Sequence, residues 1–232
     1  MTWTEITPAE WEALRLSLRV ATVAVLCSLP FALYVAALLA RGNFPGRLLL
    51  DGLVHLPLVV PPVVIGYLLL VSFGKQGWLG AWLFDLFGLT IAFTWKGAAL
   101  AAGIMAFPLM VRAMRLSLEA IDRRLETAAR TLGAPPWRVY ATITLPLMAP
   151  GILSGMVLAF ARCLGEFGAT ITFVSNIPGE TQTLPIAIYN ALQIPGGELM
   201  AARLAGLSIV LALAALGFSE LLARRSRARM AD

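Results

Sequence analysis

Two pairs of ionisable residues stand four positions apart in apolar surroundings: Asp51 with His55, and Arg162 with Glu166. At that spacing both members lie on one face of a helix and can close an ion pair or hydrogen bond. Asp51 and His55 read as a structural pair. Arg162 and Glu166 admit two uses, because charge inside an apolar segment marks either a water-filled path or a self-satisfied bridge that fixes the helix. Gly165 and Gly168 beside them would permit motion at a gate. Little else in the chain could do bond-making chemistry. His55 is the only histidine, and Cys27 and Cys163 both fall inside apolar runs, so neither a metal site nor a disulfide framework can be argued. No GxxxxGK[ST] or GxGxxG is present, and Gly74-Lys75-Gln76 lacks the upstream glycine and the hydroxyl of a phosphate loop. An enzyme needs a convergent set of acids, bases or ligands. The sequence supplies none, so a non-catalytic chain without cofactor or metal is expected.

The elements that hold these pairs follow from composition. Of 232 residues, 59% are hydrophobic and 13% charged, against roughly a quarter charged in a soluble domain. The net charge of +5 would suit a nucleic-acid binder, but the apolar runs are too long for that class, and no nucleic acid is expected. A single polytopic domain over 1–232 is predicted: an all-α bundle of about five membrane-spanning helices, at about 14–40, 48–72, 97–118, 147–173 and 200–222. No internal repeat is evident, which argues against a gradient-driven secondary transporter. The first residues are acidic rather than basic, so no cleavable signal peptide is expected.

Pro57, Pro61 and Pro62 interrupt the second span, and each removes a backbone donor. Irregular backbone at membrane depth is tolerated where it is buried or lines water. Pro61 and Pro62 are therefore candidates for a pore-lining bend as well as for a packing kink. In the fourth span Gly151, Gly155 and Ala159 form a small-residue face suited to close helix approach, within the chain or across a dimer. Trp78, Trp82 and Trp95 in the 73–96 loop suit an interfacial aromatic belt. Ser175 to Pro185 forms a polar loop with a short helix after it, at 184–193.

Between the third and fourth spans lies a basic, amphipathic insert, 119–146. Ile121, Leu125, Ala128 and Leu132 repeat at helical spacing and predict an apolar stripe, with Asp122, Arg123, Glu126, Thr127 and Arg130 facing the other way. Gly133 is placed to end the helix, and Pro135 and Pro136 to open a second short one carrying Trp137, Arg138 and Tyr140. The prediction is a helix, a hinge and a helix lying on a membrane face. Such a knuckle is built to be held by another protein, whereas an amphipathic helix resting on lipid would need no hinge.

Cations set the orientation. The side with the knuckle holds twelve arginines: Arg41, Arg47, Arg112, Arg115, Arg123, Arg124, Arg130, Arg138 and, in the tail, Arg224, Arg225, Arg227 and Arg229. The opposite side holds Lys75 and Lys96, and its N-terminal segment carries Glu5, Glu10 and Glu12. Knuckle and C-terminus are expected in the cytoplasm and the N-terminus outside.

The knuckle resembles the cytoplasmic loop of bacterial ABC-importer permeases, whose pattern is EAA, three residues, Gly, nine residues, then Ile-x-Leu-Pro. Ala128-Ala129, Gly133 and Ile143-x-Leu145-Pro146 match it; Thr127 stands where the pattern has Glu, with Glu126 one residue earlier. HLPLVVPPVVIGYLLL (55–70), AFPLMVRAMR (106–115) and LAFARCLGEFGATITFVSNIPGETQTLP (158–185) extend the likeness to the molybdate-transporter permeases over nearly the whole chain. The resemblance implies a type I ABC-importer permease in the bacterial inner membrane. It would work as a homodimer in the bilayer with two ATP-binding subunits and a periplasmic molybdate-binding protein. Sibling permeases for sulfate or tungstate remain alternatives. It also implies that Glu126, Ala128, Ala129, Arg130, Gly133, Ala134, Pro135, Trp137, Leu145 and Pro146 take part in docking the ATPase. Pro61, Pro62, Arg162, Glu166 and Gly168 are the pore or gate candidates. Of these, Arg162 and Glu166 are read as the fixed bridge first, since a strong cation on an anion's path would trap the anion.

Overall fold

Thr7 opens the first helix with a capping box: its hydroxyl accepts from the Glu10 amide, and the Glu10 carboxylate accepts from the Thr7 amide. Helix α1 therefore runs Pro8–Arg41, beginning six residues before the expected span. The structure is a computed structural model that describes residues 7–231 and, among side chains, those up to 217. Glu5 and the tail arginines of the charge count lie outside the described side chains.

The second span is broken. Between helices α2 (Arg47–Val59) and α3 (Pro62–Phe73) the chain bends by 112°. Val60 and Pro61 take extended ψ values of 138° and 134°, as expected of residues that each precede a proline. Pro62 then serves as the first residue of α3, where a missing N–H costs nothing. Helix α4 (Trp78–Phe87) occupies the stretch expected to be loop; ten residues are too few to cross a bilayer. Its Gly80 sits against the backbone at the end of α3, where a Cβ would come within 2.0 Å of the Gly74 carbonyl.

Helix α5 (Trp95–Glu119) is the central span, buried along an alanine face, Ala98, Ala101, Ala102 and Ala106, and a methionine ridge, Met105, Met110 and Met114. Helix α1 packs on one side of it and α8 (Leu145–Leu164) on the other. The small face of α8 serves this packing inside the chain: a Cβ on Gly151 would lie 2.2 Å from Ser117 Cβ, and one on Gly155 3.2 Å from the Met110 carbonyl.

Two further boundaries differ from expectation. The fourth span does not reach residue 173. It stops at Leu164; Gly165 and Glu166 break the helix, and α9 (Gly168–Val174) starts anew. Nor is the segment after Pro135 a separate surface helix: α7 (Pro136–Val139) runs through a π-turn, Tyr140–Thr144, straight into α8, so Pro136–Leu164 is one helical span of 29 residues. Helix α10 (Leu184–Leu192) matches the expected short helix, and α11 (Glu198–Ala231) forms the last span. Among the described residues four helices are long and apolar enough to cross a membrane, or five counting the bent α2–α3 pair as one. The protein is an all-helical, multi-pass membrane protein.

Candidate functional site

Between α5 and α7, helix α6 (Arg123–Thr131) begins at Asp122, whose carboxylate accepts from the Arg124 amide. It ends at Gly133, whose φ of +85° is the left-handed conformation that closes helices; no side chain or backbone lies within 4 Å of where its Cβ would be. The first helix of the knuckle and its glycine hinge form as expected, and the leucines of the apolar stripe face outward. Leu125 is 50% exposed, Leu132 88% and Trp137 68%, and Ala128 is exposed beside them. Glu126, grouped by spacing with Asp122, Arg123, Thr127 and Arg130, departs from those exposed residues and is 7% exposed.

The reason is a partner set invisible to local spacing. Arg41, at the end of α1, donates from Nη1 to Glu126 Oε2 in an ion pair. Thr144, at the end of the π-turn, donates from Oγ1 to Glu126 Oε1 at 2.5 Å. Both carboxylate oxygens are thus taken, which offsets the cost of burying the charge. Burial pushes the Glu126 carboxyl up, yet the hydrogen bonds from Arg41 and Thr144 and the charges of Arg41 and Arg130 hold it below the usual carboxylate range. A cavity of 220 Å³ beside these three residues is lined by Arg41, Glu126, Arg130, Pro136, Tyr140 and Thr144 among others. Of the other knuckle candidates, Arg130 and Pro146 are exposed; Ala129, Ala134, Pro135 and Leu145 are half-buried. An outward apolar face of Leu125, Ala128, Leu132 and Trp137, rimmed by Arg123, Arg124 and Arg138, is a surface that a protein partner can cover.

At the other end of α8 the second candidate group assembles. Arg162 Nη1 and Glu166 Oε2 lie 2.6 Å apart, with the Glu166 side chain 1% exposed. Glu166 Oε1 also accepts from the Ala169 amide at 2.9 Å, so the carboxylate caps the first turn of α9. The ion pair allowed by the spacing is formed, and Glu166 also bridges the break between α8 and α9. Gly168 lies against the break in the second span, where a Cβ would approach Pro62 Cβ to 2.8 Å. The structure therefore brings Pro62, Gly168 and the Arg162–Glu166 bridge to one region, while Pro61 is exposed next to it. Near the opposite end of the second span, Asp51 and His55 pair at 3.4 Å as expected, and Arg115 reaches Asp51 at 3.0 Å and Glu119 at 2.8 Å, tying α2 to α5.

Neither Arg41 nor Thr144 was legible in the sequence as a partner of Glu126. The same holds for a buried ion pair between Glu10 Oε1 and Arg203 Nη2, 2.9 Å, which joins α1 to α11. A lone arginine in the last apolar helix was the available signal; nothing local named its partner. Among the described residues, no group of three or more His, Cys, Asp or Glu could hold a metal ion.

Comparison with known proteins is consistent with this geometry. Residues 28–228 match the family described as binding-protein-dependent transport system inner membrane component. The chain is 63% identical to the molybdenum transport system permease protein ModB of Escherichia coli K12, covering 97% of this chain and 98% of that one. It is 58% identical to ModB of Haemophilus influenzae over 95% and 96% of the two chains. Among solved structures, it superposes on a chain of a bacterial alginate ABC transporter, in complex with an alginate pentasaccharide-bound periplasmic protein, with a TM-score of 0.74 at 20% identity. That match covers 94% of this chain and 80% of the other and speaks to the fold alone.

Proposed function

The chain belongs to the family of binding-protein-dependent transport system inner membrane components, and from that premise we propose that it is the permease subunit of an ATP-driven molybdate importer. The observation that carries the substrate class is the 63% identity to a molybdenum transport permease over 97% of this chain.

The mechanism rests on this chain's own elements. Two copies related by a two-fold axis would enclose the path, since one five-span bundle supplies half a wall. ATP would be bound and hydrolysed on separate subunits that receive the exposed face of Leu125, Ala128, Leu132 and Trp137. Drawing the two knuckles together would then reorient the bundles between outward and inward access, a two-state switch driven by differential contacts at the docking face. The hinge at Gly133 and the continuous helix from Pro136 to Leu164 suit this: one end is held by the partner, and the other ends at the α8–α9 break. The cation-rich side would be cytoplasmic and the loop from Ser175 to Pro185 periplasmic, where a molybdate-binding protein would deliver the anion. Pro61, Pro62 and Gly168 are the candidates for the wall that moves.

The test is uptake. Cells lacking their own molybdate importer would be given this chain with a matching ATPase and binding protein, and accumulation of molybdate and of sulfate measured. Molybdate uptake that sulfate does not compete away supports the proposal; sulfate uptake of equal rate replaces the ligand and keeps the importer.

A further inference from the structure

The Arg41–Glu126–Thr144 cluster lies under the docking face rather than on it, and its three members come from three different elements. We infer that Glu126 is a positioning residue that clamps the docking helix to α1 and to the root of α8, so that movement of the knuckle is carried into both spans; Glu126 itself makes no contact with the ATPase. This inference rests on the docking role proposed above and adds the route by which docking would reach the membrane.

Helix α6 is only nine residues long, and its links to the bundle through chain connectivity are a glycine hinge on one side and the α5 terminus on the other. A hinge alone would let α6 swing without moving the spans. The carboxylate of Glu126 removes that freedom, because each of its oxygens is held by a different span: Oε2 by Arg41 of α1 and Oε1 by Thr144 at the foot of α8. The grip on α8 falls at the π-turn, where Leu145 N–H bonds to Tyr140 O. Such single π-turns are points where a helix can change register or direction. The clamp therefore ties the knuckle to the place where α8 is most able to adjust. From there α8 runs twenty residues, about 30 Å at 1.5 Å per residue, to the Arg162–Glu166 bridge at its far end. Helix α1 in turn packs along α5 and α8, so a displaced Arg41 acts on the central span. Glu126 is buried while Leu125 and Leu132, its neighbours in sequence, are exposed, which leaves the partner an apolar face and keeps the carboxylate for the bundle.

The experiment uses the full chain co-expressed with its ATPase, in liposomes, with molybdate-loaded binding protein as the stimulus. For Glu126→Gln, the ATPase should still co-purify at the wild-type ratio, while the stimulated part of ATP hydrolysis falls roughly tenfold, the scale of one lost charge-assisted hydrogen bond. Thr144→Val should give a smaller fall of the same kind. The exchange Arg41→Glu with Glu126→Arg should recover stimulation relative to either single change, which guards against variants that simply misfold. Loss of the ATPase from Glu126→Gln would make Glu126 a direct contact and overturn the clamp. Full stimulation in Glu126→Gln, or an exchange variant no better than the single ones, would overturn it as well. A wild-type chain that fails to hold the ATPase would instead refute the docking reading itself.

Discussion

Among the arginine–carboxylate pairs of this bundle, three invite comparison because they differ most in how far apart their members lie in the chain. Arg162 and Glu166 are four residues apart on one helix. Arg41 and Glu126 are 85 apart, and Glu10 and Arg203 are 193 apart. The near pair shapes one local break between α8 and α9. The distant pairs decide which helices stay together: Glu10–Arg203 joins the first span to the last, and Arg41–Glu126 joins the first span to the knuckle. Local pairs set the shape of an element, whereas distant ones set what moves as a unit.

The sharpest way to separate them is to remove one cation from each. Arg203→Met leaves Glu10 buried and charged without its partner and should destabilise the fold by about 3–5 kcal/mol, seen as a large drop in thermal unfolding temperature in detergent. Each carboxylate keeps a backbone amide, Glu10 that of Thr7 and Glu166 that of Ala169, but Arg162→Met should cost clearly less because the Arg162 side chain is 29% exposed against 7% for Arg203. Equal losses would break the distinction. Next in size, Leu132→Asp places a charge on an exposed residue and should leave the unfolding temperature unchanged, while weakening ATPase co-purification by about 2 kcal/mol, the scale of an interface hot spot. Undiminished co-purification would move the docking face elsewhere.

Glu166→Gln keeps an acceptor for Ala169 and loses the charge facing Arg162. Uptake should fall while complex yield stays normal; normal uptake at normal yield would reduce the pair to a bracket. The smallest effect is one of pH. Because the Glu126 carboxyl is held below its ordinary value of 4.5, the clamp's contribution is fully present above that value and is lost as pH falls through the lower folded value. The stability gap between wild type and Glu126→Gln should therefore be constant near neutrality and close only at acid pH below about 4.5. A gap that closes between pH 6 and 7, roughly the titration range of histidine, would place the linkage on another group.

These contrasts also mark what was legible in the sequence. The spans, the bend at Pro61–Pro62, the glycine hinge at 133 and the Arg162–Glu166 bridge follow from local rules: hydropathy, proline geometry, positive φ and i,i+4 spacing. The start of α1 was legible too, since Thr7-Pro8-x-Glu10 is a capping box with proline at the first helical position. The facing of Glu126 was not. Spacing groups Glu126 with Asp122, Arg123, Thr127 and Arg130, which are exposed, and only the long-range partners Arg41 and Thr144 explain why its carboxylate turns in. The end of the fourth span at Leu164 was masked for a related reason: residues 168–174 are as apolar as a span, and the break is fixed by a side chain capping the next helix.

The most direct test of docking at the outward face of α6 is ATP hydrolysis by the complex reconstituted in liposomes, with wild-type chain against Leu132→Asp. Hydrolysis should rise with molybdate-loaded binding protein in the wild type and be lost with the ATPase in the variant. Hydrolysis in the wild type that ignores the loaded binding protein, or a variant that retains the full response, would contradict it.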